Sequence, residues 1–205
     1  MGKLLELLEK LVRAIFGPGD EQDTGEPEPA PQAPKAEAVT GWEGDPPYRY
    51  IDVSRYQGLI DWAQVAAAGY KGAMLKTVST NPKLSKRADG LYIDPTFEGN
   101  YRNARAAGLD VGVYYYTYAT SEAMADEELA MLRQAVYGKE FSLPVCVDVE
   151  ENKLKQLSTL DLSNLTAYAL EQVEKMGFYA QLYTYTGYKY ELDMARLSSR
   201  WDVWL

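Results

Sequence analysis

Leu143-Pro144-Val145-Cys146-Val147-Asp148-Val149-Glu150 is the stretch on which the reading of this chain turns. It is an apolar run whose end carries two acids. Strand alternation places Cys146, Asp148 and Glu150 on one side and Val145, Val147 and Val149 on the other, the pattern of a buried strand. Residues two apart on one face differ by about 6.6 Å in backbone rise, close enough for two charges in a partly buried cleft to interact strongly. Like charges held together cannot both ionise freely, so one carboxyl should have its pKa raised and be able to act as a general acid near neutral pH. Paired carboxylates of this kind carry out glycoside cleavage. A strand running out into solvent with an acidic edge has the same D-x-E pattern, and the rest of the chain must separate the two readings.

Outward from this strand, apolar runs alternate with helical periodicity. Tyr50 to Ser54, Gly72 to Val78, Leu109 to Tyr118, Phe178 to Thr186 and Trp201 to Leu205 read as further strands. Between them, Trp62 to Gly69, Pro95 to Ala107, Glu122 to Val136, Thr159 to Met176 and Glu191 to Leu197 read as helices. Repeated strand-helix units of this length predict an α/β fold with a parallel sheet. Acids at several strand ends favour an irregular TIM-like barrel over an open doubly wound sheet. Such a barrel builds its chemistry at the carboxyl ends of its strands, where Asp52 joins Asp148 and Glu150. There is no G-x-G-x-x-G and no P-loop, so nothing points to a nucleotide site.

The segments before Tyr48 are of another kind. Residues 1–16 have the pattern of an amphipathic helix, with Leu4, Leu5, Leu8, Leu11, Ile15 and Phe16 on one broad side. Packing on the domain or on a second copy, a membrane surface, and a protein partner all require such a face. The segment is too short to span a bilayer and lacks the form of a secretory signal. Residues 17–47 shift to Pro, Glu, Ala and Gly and read as an acidic, extended linker. Residues 48–205 then form the barrel domain.

Composition narrows the function. The chain has 205 residues and a formal net charge of −9, which gives it no electrostatic reason to bind nucleic acid. It contains no His and a single Cys, so His-based triads, His metal sites and an internal disulfide framework are excluded. Proton transfer falls to Asp, Glu, Tyr or Lys, and no cofactor or metal is expected. The 17 tyrosines include Tyr114, Tyr115, Tyr116 and Tyr118 on one strand and Tyr183 and Tyr185 on another. With Trp201 and Trp204 they offer flat amphipathic surfaces that suit sugar faces. Tyrosine is also a good sheet former, so the ligands are expected among the residues near strand ends: Tyr114, Tyr116, Tyr183 and Trp204. Lys76, ending the second strand, either orients a carboxylate or substrate oxygen or snorkels at the surface.

An ordered set of short stretches now resembles glycoside hydrolase family 25, the lysozymes of the N-acetylmuramidase type found in phage endolysins and bacterial autolysins. The stretches are Asp52-Val53-Ser54 with Gln57-Gly58 and Ile60-Asp61-Trp62; Asp94-Pro95 with Phe97 and Asn100-Tyr101; Ala107-Gly108-Leu109 with Val111-Gly112-Val113-Tyr114; Asp148-Val149-Glu150; Tyr179-Ala180 with Tyr183-Thr184; and Trp204-Leu205. The resemblance implies a barrel of five strand-helix units followed by three strands. It also implies cleavage of the β-1,4 bond between N-acetylmuramic acid and N-acetylglucosamine in peptidoglycan glycan strands. Glu150 becomes the general acid. Asp148 stabilises developing charge or orients the substrate's N-acetyl group, and Asp52 lines the same cleft.

The chain departs from the family pattern at Lys76-Thr77-Val78-Ser79, where many members have an acid and glycine after Lys-Ala-Thr. It departs again at Tyr115, where many have His, and in stopping at Leu205, from which a barrel truncated in its last strands is expected. Two other functions fit the same residues: a non-catalytic wall-glycan-binding or scaffold module, and a hydrolase of chitin-like polymers. The spacing of Asp148 and Glu150 leaves retention and inversion both open.

Overall fold

The computed structural model describes residues 48–205. The helix expected over 1–16 and the linker expected over 17–47 lie outside the described residues. Six parallel strands form one sheet, with β1 (Tyr50–Val53), β2 (Gly72–Lys76), β5 (Asp110–Tyr116), β6 (Val145–Asp148), β7 (Ala180–Tyr183) and β8 (Asp202–Trp204) lying side by side in that order. Helices α1 (Trp62–Ala67), α2 (Phe97–Ala106), α3 (Glu122–Val136), α4 (Thr159–Lys175) and α5 (Met194–Ser198) follow the first five of these strands in turn. The result is an α/β fold of strand-helix units.

Local chemistry starts and stops these helices. Ser121, Ser158, Asp61 and Asp193 stand at the N-caps of α3, α4, α1 and α5, and each side chain accepts from a backbone N–H of the first turn. Gly108, at φ +77°, takes the left-handed conformation just beyond α2, where a side chain would be strained.

The two faces of the sheet pack differently. Ala73, Leu75, Val111, Val113, Tyr115, Val145, Val147 and Leu182 point to the helices and join Leu129, Leu132, Leu162, Leu170 and Val173 in one buried core. The opposite face holds a smaller cluster of Met74, Tyr114 and Cys146, backed by Leu143, Tyr183 and Trp204. This second face is concave. Tyr50 of β1 and Trp204 of β8 lie on the outermost strands of the six, yet their rings stand 5.5 Å apart at an interplanar angle of 77°. The sheet is therefore curled into a half-barrel whose inner face is partly filled by side chains.

The strand expected over Phe178 to Thr186 is only Ala180–Tyr183 and that over Leu109 to Tyr118 is Asp110–Tyr116, and two further corrections bear on the site. The second strand does not run on to Val78. It stops at Lys76, after which Thr77 donates its amide to the Tyr114 carbonyl at 2.8 Å. Val78–Thr80 leaves the sheet as β3 and pairs antiparallel with β4 (Leu91–Ile93) in a separate hairpin. The strand expected over Leu143 to Glu150 is shorter, ending at Asp148, so Glu150 sits just past the pleat in the loop.

Candidate active site

Register assembles the concave site. Lys76 pairs with Tyr114, Tyr116 with Asp148, Asp148 with Tyr183, and Tyr183 with Trp204. Residues in register on adjacent strands point to the same face, so these six side chains, with Asp52 on β1, share the inner surface at the carboxyl ends of the strands. All eight residues singled out in the sequence, Glu150 included, interact electrostatically or through their rings within this one region. Tyr115, by contrast, points to the helices and is fully buried. Trp201 is buried against α4, donating its indole N–H to Glu174 at 3.0 Å. Tyr185 packs on Tyr188.

The carboxylates occupy distinct environments. Asp148 is 4% exposed. Its pKa is pushed up to about 8, first by burial, then by the neighbouring Glu150 and Asp52 charges, with Lys76 acting in the opposite sense. Its Oδ1 is buried without a hydrogen-bond partner among the described residues, which is unusual for a carboxylate oxygen. Glu150 is half-buried, and its pKa is raised by burial and by Asp52 and Glu151 while Lys76 lowers it. Asp52 is open to solvent inside the concavity, but surrounding protein still raises its pKa against the stabilising hydrogen bond from Tyr114 and the charge of Lys76.

Lys76 is not a snorkelling surface residue. It is half-buried, its ammonium stands 4.8 Å above the Tyr116 ring, and desolvation lowers its pKa against the pull of Asp148, Asp94, Asp52 and Glu150. One cation thus faces several acids. That ratio cannot neutralise them all, so the mutual repulsion of the acids adds to burial in holding the Asp148 proton.

Backbone pins fix where Glu150 stands. Val149 donates its amide to the Tyr183 carbonyl at 2.9 Å and receives the Thr184 hydroxyl on its own carbonyl at 2.8 Å. On the other side, the Tyr188 hydroxyl donates to the Glu151 carbonyl at 2.8 Å. Glu151 then caps a short 3-10 turn, Asn152–Gln156, through its side chain. Tyr188 was not identified in the sequence, and Thr184 entered only through the Tyr183-Thr184 match with no role attached, because a polar residue more than thirty positions away carries no signal of its partner.

Further residues complete the rim. Tyr118 stacks on Tyr116 with ring centroids 5.0 Å apart. The loop that carries it is held by Glu128 of α3, which is 2% exposed and accepts from the Thr117 hydroxyl at 2.6 Å and the Tyr118 amide at 2.8 Å. Asp94, at the end of β4, accepts the Arg55 amide at 2.9 Å, tying the loop after β1 to the hairpin. Together these elements define a curled α/β protein with an acid-lined, aromatic-walled cleft at the strand ends.

Comparison with known proteins gives this class its family. Residues 51–205 match Glycosyl hydrolases family 25, and the chain belongs to that family. It is 31% identical over 125 residues to the uncharacterized protein YegX of Escherichia coli K12, covering 61% of this chain and 43% of YegX. It is 32% identical over 105 residues to Lysozyme M1 of Streptomyces globisporus, covering 50% of this chain and 32% of that protein. The chain therefore spans less than half the length of these relatives. Among solved structures, the bacterial lysozyme from Streptomyces coelicolor shares the fold at a TM-score of 0.60 and 23% identity, over 78% of this chain and 74% of that one.

Proposed function

We propose that this domain is a peptidoglycan hydrolase of the lysozyme type, cleaving the β-1,4 bond between N-acetylmuramic acid and N-acetylglucosamine. The observation that carries the reading is the Asp148–Glu150 pair: one buried acid and one half-exposed acid, both with raised pKa values, beneath an aromatic-lined cleft. Family membership and the likeness to Lysozyme M1 support the substrate class. In this account the six-stranded curl is an arc of the irregular TIM-like barrel expected from the sequence.

Glu150 is the general acid. It reaches the cleft, its pKa is raised, and its backbone is pinned on both sides, so the proton is delivered from a fixed position to the glycosidic oxygen. Asp148 lies beneath it and, once ionised, stabilises the developing charge or orients the substrate's N-acetyl group. As the bond breaks, positive charge grows on the sugar ring, and the carboxylates of Asp148 and Asp52 stabilise it. Lys76 keeps the cluster from becoming too basic. Tyr114, Tyr116, Tyr183 and Trp204 provide the walls on which the sugar faces pack, the last two with ring centroids 4.7 Å apart.

Mass spectrometry of products from purified peptidoglycan, with chitin run in parallel, tests the assignment. The expected result is fragments with N-acetylmuramic acid at the new reducing end and little release from chitin. Fragments ending in N-acetylglucosamine, or faster release from chitin, would overturn it.

A further inference from the structure

The aromatic wall does not end at Tyr116. Beyond Tyr118 lie Tyr92 of the hairpin, which is buried, and the exposed Tyr56 of the turn after β1, both within electrostatic reach of the Tyr118 hydroxyl. At its outer end stands Arg55. Its guanidinium carbon lies 4.0 Å from the centre of the Tyr56 ring, it donates to the Tyr56 hydroxyl at 2.6 Å, and the Tyr92 side chain adds to its electrostatic surroundings. Among the described residues Arg55 forms no ion pair with any carboxylate side chain, and its Nε is buried without a partner.

That combination is informative because of the charges around it. Lys76 faces four acids, Asp148, Asp94, Asp52 and Glu150, whereas Arg55 lies over the ring of Tyr56, a tyrosine that is 72% exposed, and has Asp94 as the one acid in its electrostatic surroundings. A guanidinium held this way presents its edge in a fixed plane, the geometry that takes a carboxylate through parallel hydrogen bonds. Resting on the muramidase reading, we propose that Tyr118, Tyr92 and Tyr56 form an outer sugar subsite in which Arg55 binds a carboxylate carried by the muramyl substituent. The site thereby selects muramyl glycan over chitin-like glycan, and it offsets the repulsion that an acidic cleft imposes on an anionic polymer. Two carboxylates are available on such a chain, one on the peptide stem and one on the lactyl group once the stem is removed.

The test is calorimetric binding in the full chain carrying Glu150→Gln, so that ligands are not consumed. Three ligands of matched length are compared: stem-bearing glycan, amidase-stripped glycan with free lactyl carboxylates, and chito-oligosaccharide. Arg55→Ala should weaken carboxylate-bearing ligands by about tenfold, the worth of a charge-assisted hydrogen bond, and chito-oligosaccharide by less than about twofold. Loss confined to the stem-bearing ligand assigns the stem carboxylate; loss on the stripped glycan assigns the lactyl one. Arg55→Lys, which keeps charge and loses the fork, should recover part of the affinity, while Tyr56→Ala should weaken all three ligands together. An Arg55→Ala effect equal on all three ligands, or absent from all, would overturn the proposal. Failure of the muramidase reading would appear elsewhere, as a lack of N-acetylmuramic acid ends in products made with Glu150 in place.

Discussion

In the proposed mechanism Asp148 is a functional residue that opposes stability. Its carboxyl is buried with one oxygen unsatisfied and its pKa displaced to about 8, so its charge is costly in the folded state and useful only when substrate is present. Asp148→Asn should therefore raise the denaturation midpoint at pH 8, by an amount worth about 1–2 kcal/mol after relaxation, while lowering kcat by at least about 100-fold. Chemical denaturation beside kinetics on peptidoglycan checks both signs. Lys76 makes the complementary prediction. Because its charge lowers the pKa of Asp148, Glu150 and Asp52, Lys76→Met should move the alkaline limb of the pH–rate profile upward by roughly one unit. The acids themselves were legible in the sequence, since D-x-E on one strand face places them together. Arg55 was not, because the exposed edge of a stacked guanidinium depends on a hairpin nearly forty residues away.

The β3–β4 hairpin and the loop after β5 show what periodicity alone leaves out. Thr77-Val78-Ser79-Thr80 is as rich in β-branched residues as a strand should be, so nothing local marks the point where the chain leaves the sheet. The departure is set by the Thr77 hydroxyl, which donates to the Tyr114 carbonyl at 2.7 Å. By contrast, α3 was readable over its full length, because Ser121 caps it and its apolar positions face one side. Its buried Glu128 looked like any charge on a helix, yet it holds the loop that aims Tyr118 and has its pKa raised to about 7 by burial. Removing that acceptor by Glu128→Ala leaves two buried donors unpaired and should cost about 2–3 kcal/mol, measured by urea unfolding. Glu128→Gln keeps an acceptor oxygen and should cost clearly less. The floor of the half-barrel is as tightly specified. A methyl group at Gly112 would lie 2.6 Å from the Met74 sulfur and 2.7 Å from the Pro144 carbonyl oxygen, so Gly112→Ala should destabilise by about 1–3 kcal/mol.

Across the described residues, one sheet serves two purposes: its outer face anchors the helices and its inner face gathers the acids and rings to which the proposed mechanism assigns the chemistry. Alternation made this division visible in advance, and register on adjacent strands converted it into a site. The curl was only partly foreseeable, because it is expressed in the meeting of Tyr50 and Trp204, residues more than 150 positions apart. Collecting acids on the inner face has a cost for the molecule that depends on pH. Asp148 and Glu128 both have folded-state pKa values above their unfolded ones, so the folded protein holds these protons more tightly than the unfolded chain does. Their contribution to stability is full below pH about 4 and is lost progressively as pH rises through about 7 to 8. The midpoint of denaturation should accordingly be higher at pH 5 than at pH 8.5, and Asp148→Asn should flatten the difference. The most direct measurement of all compares the parent with Glu150→Gln on purified peptidoglycan, reading new reducing ends by mass spectrometry and binding by calorimetry. If Glu150 is the general acid, the variant should lose turnover by a factor of about 10³ or more while glycan affinity stays within about twofold. Substantial turnover in Glu150→Gln would contradict the mechanism, because the amide keeps the shape of the side chain and lacks only the proton it must give.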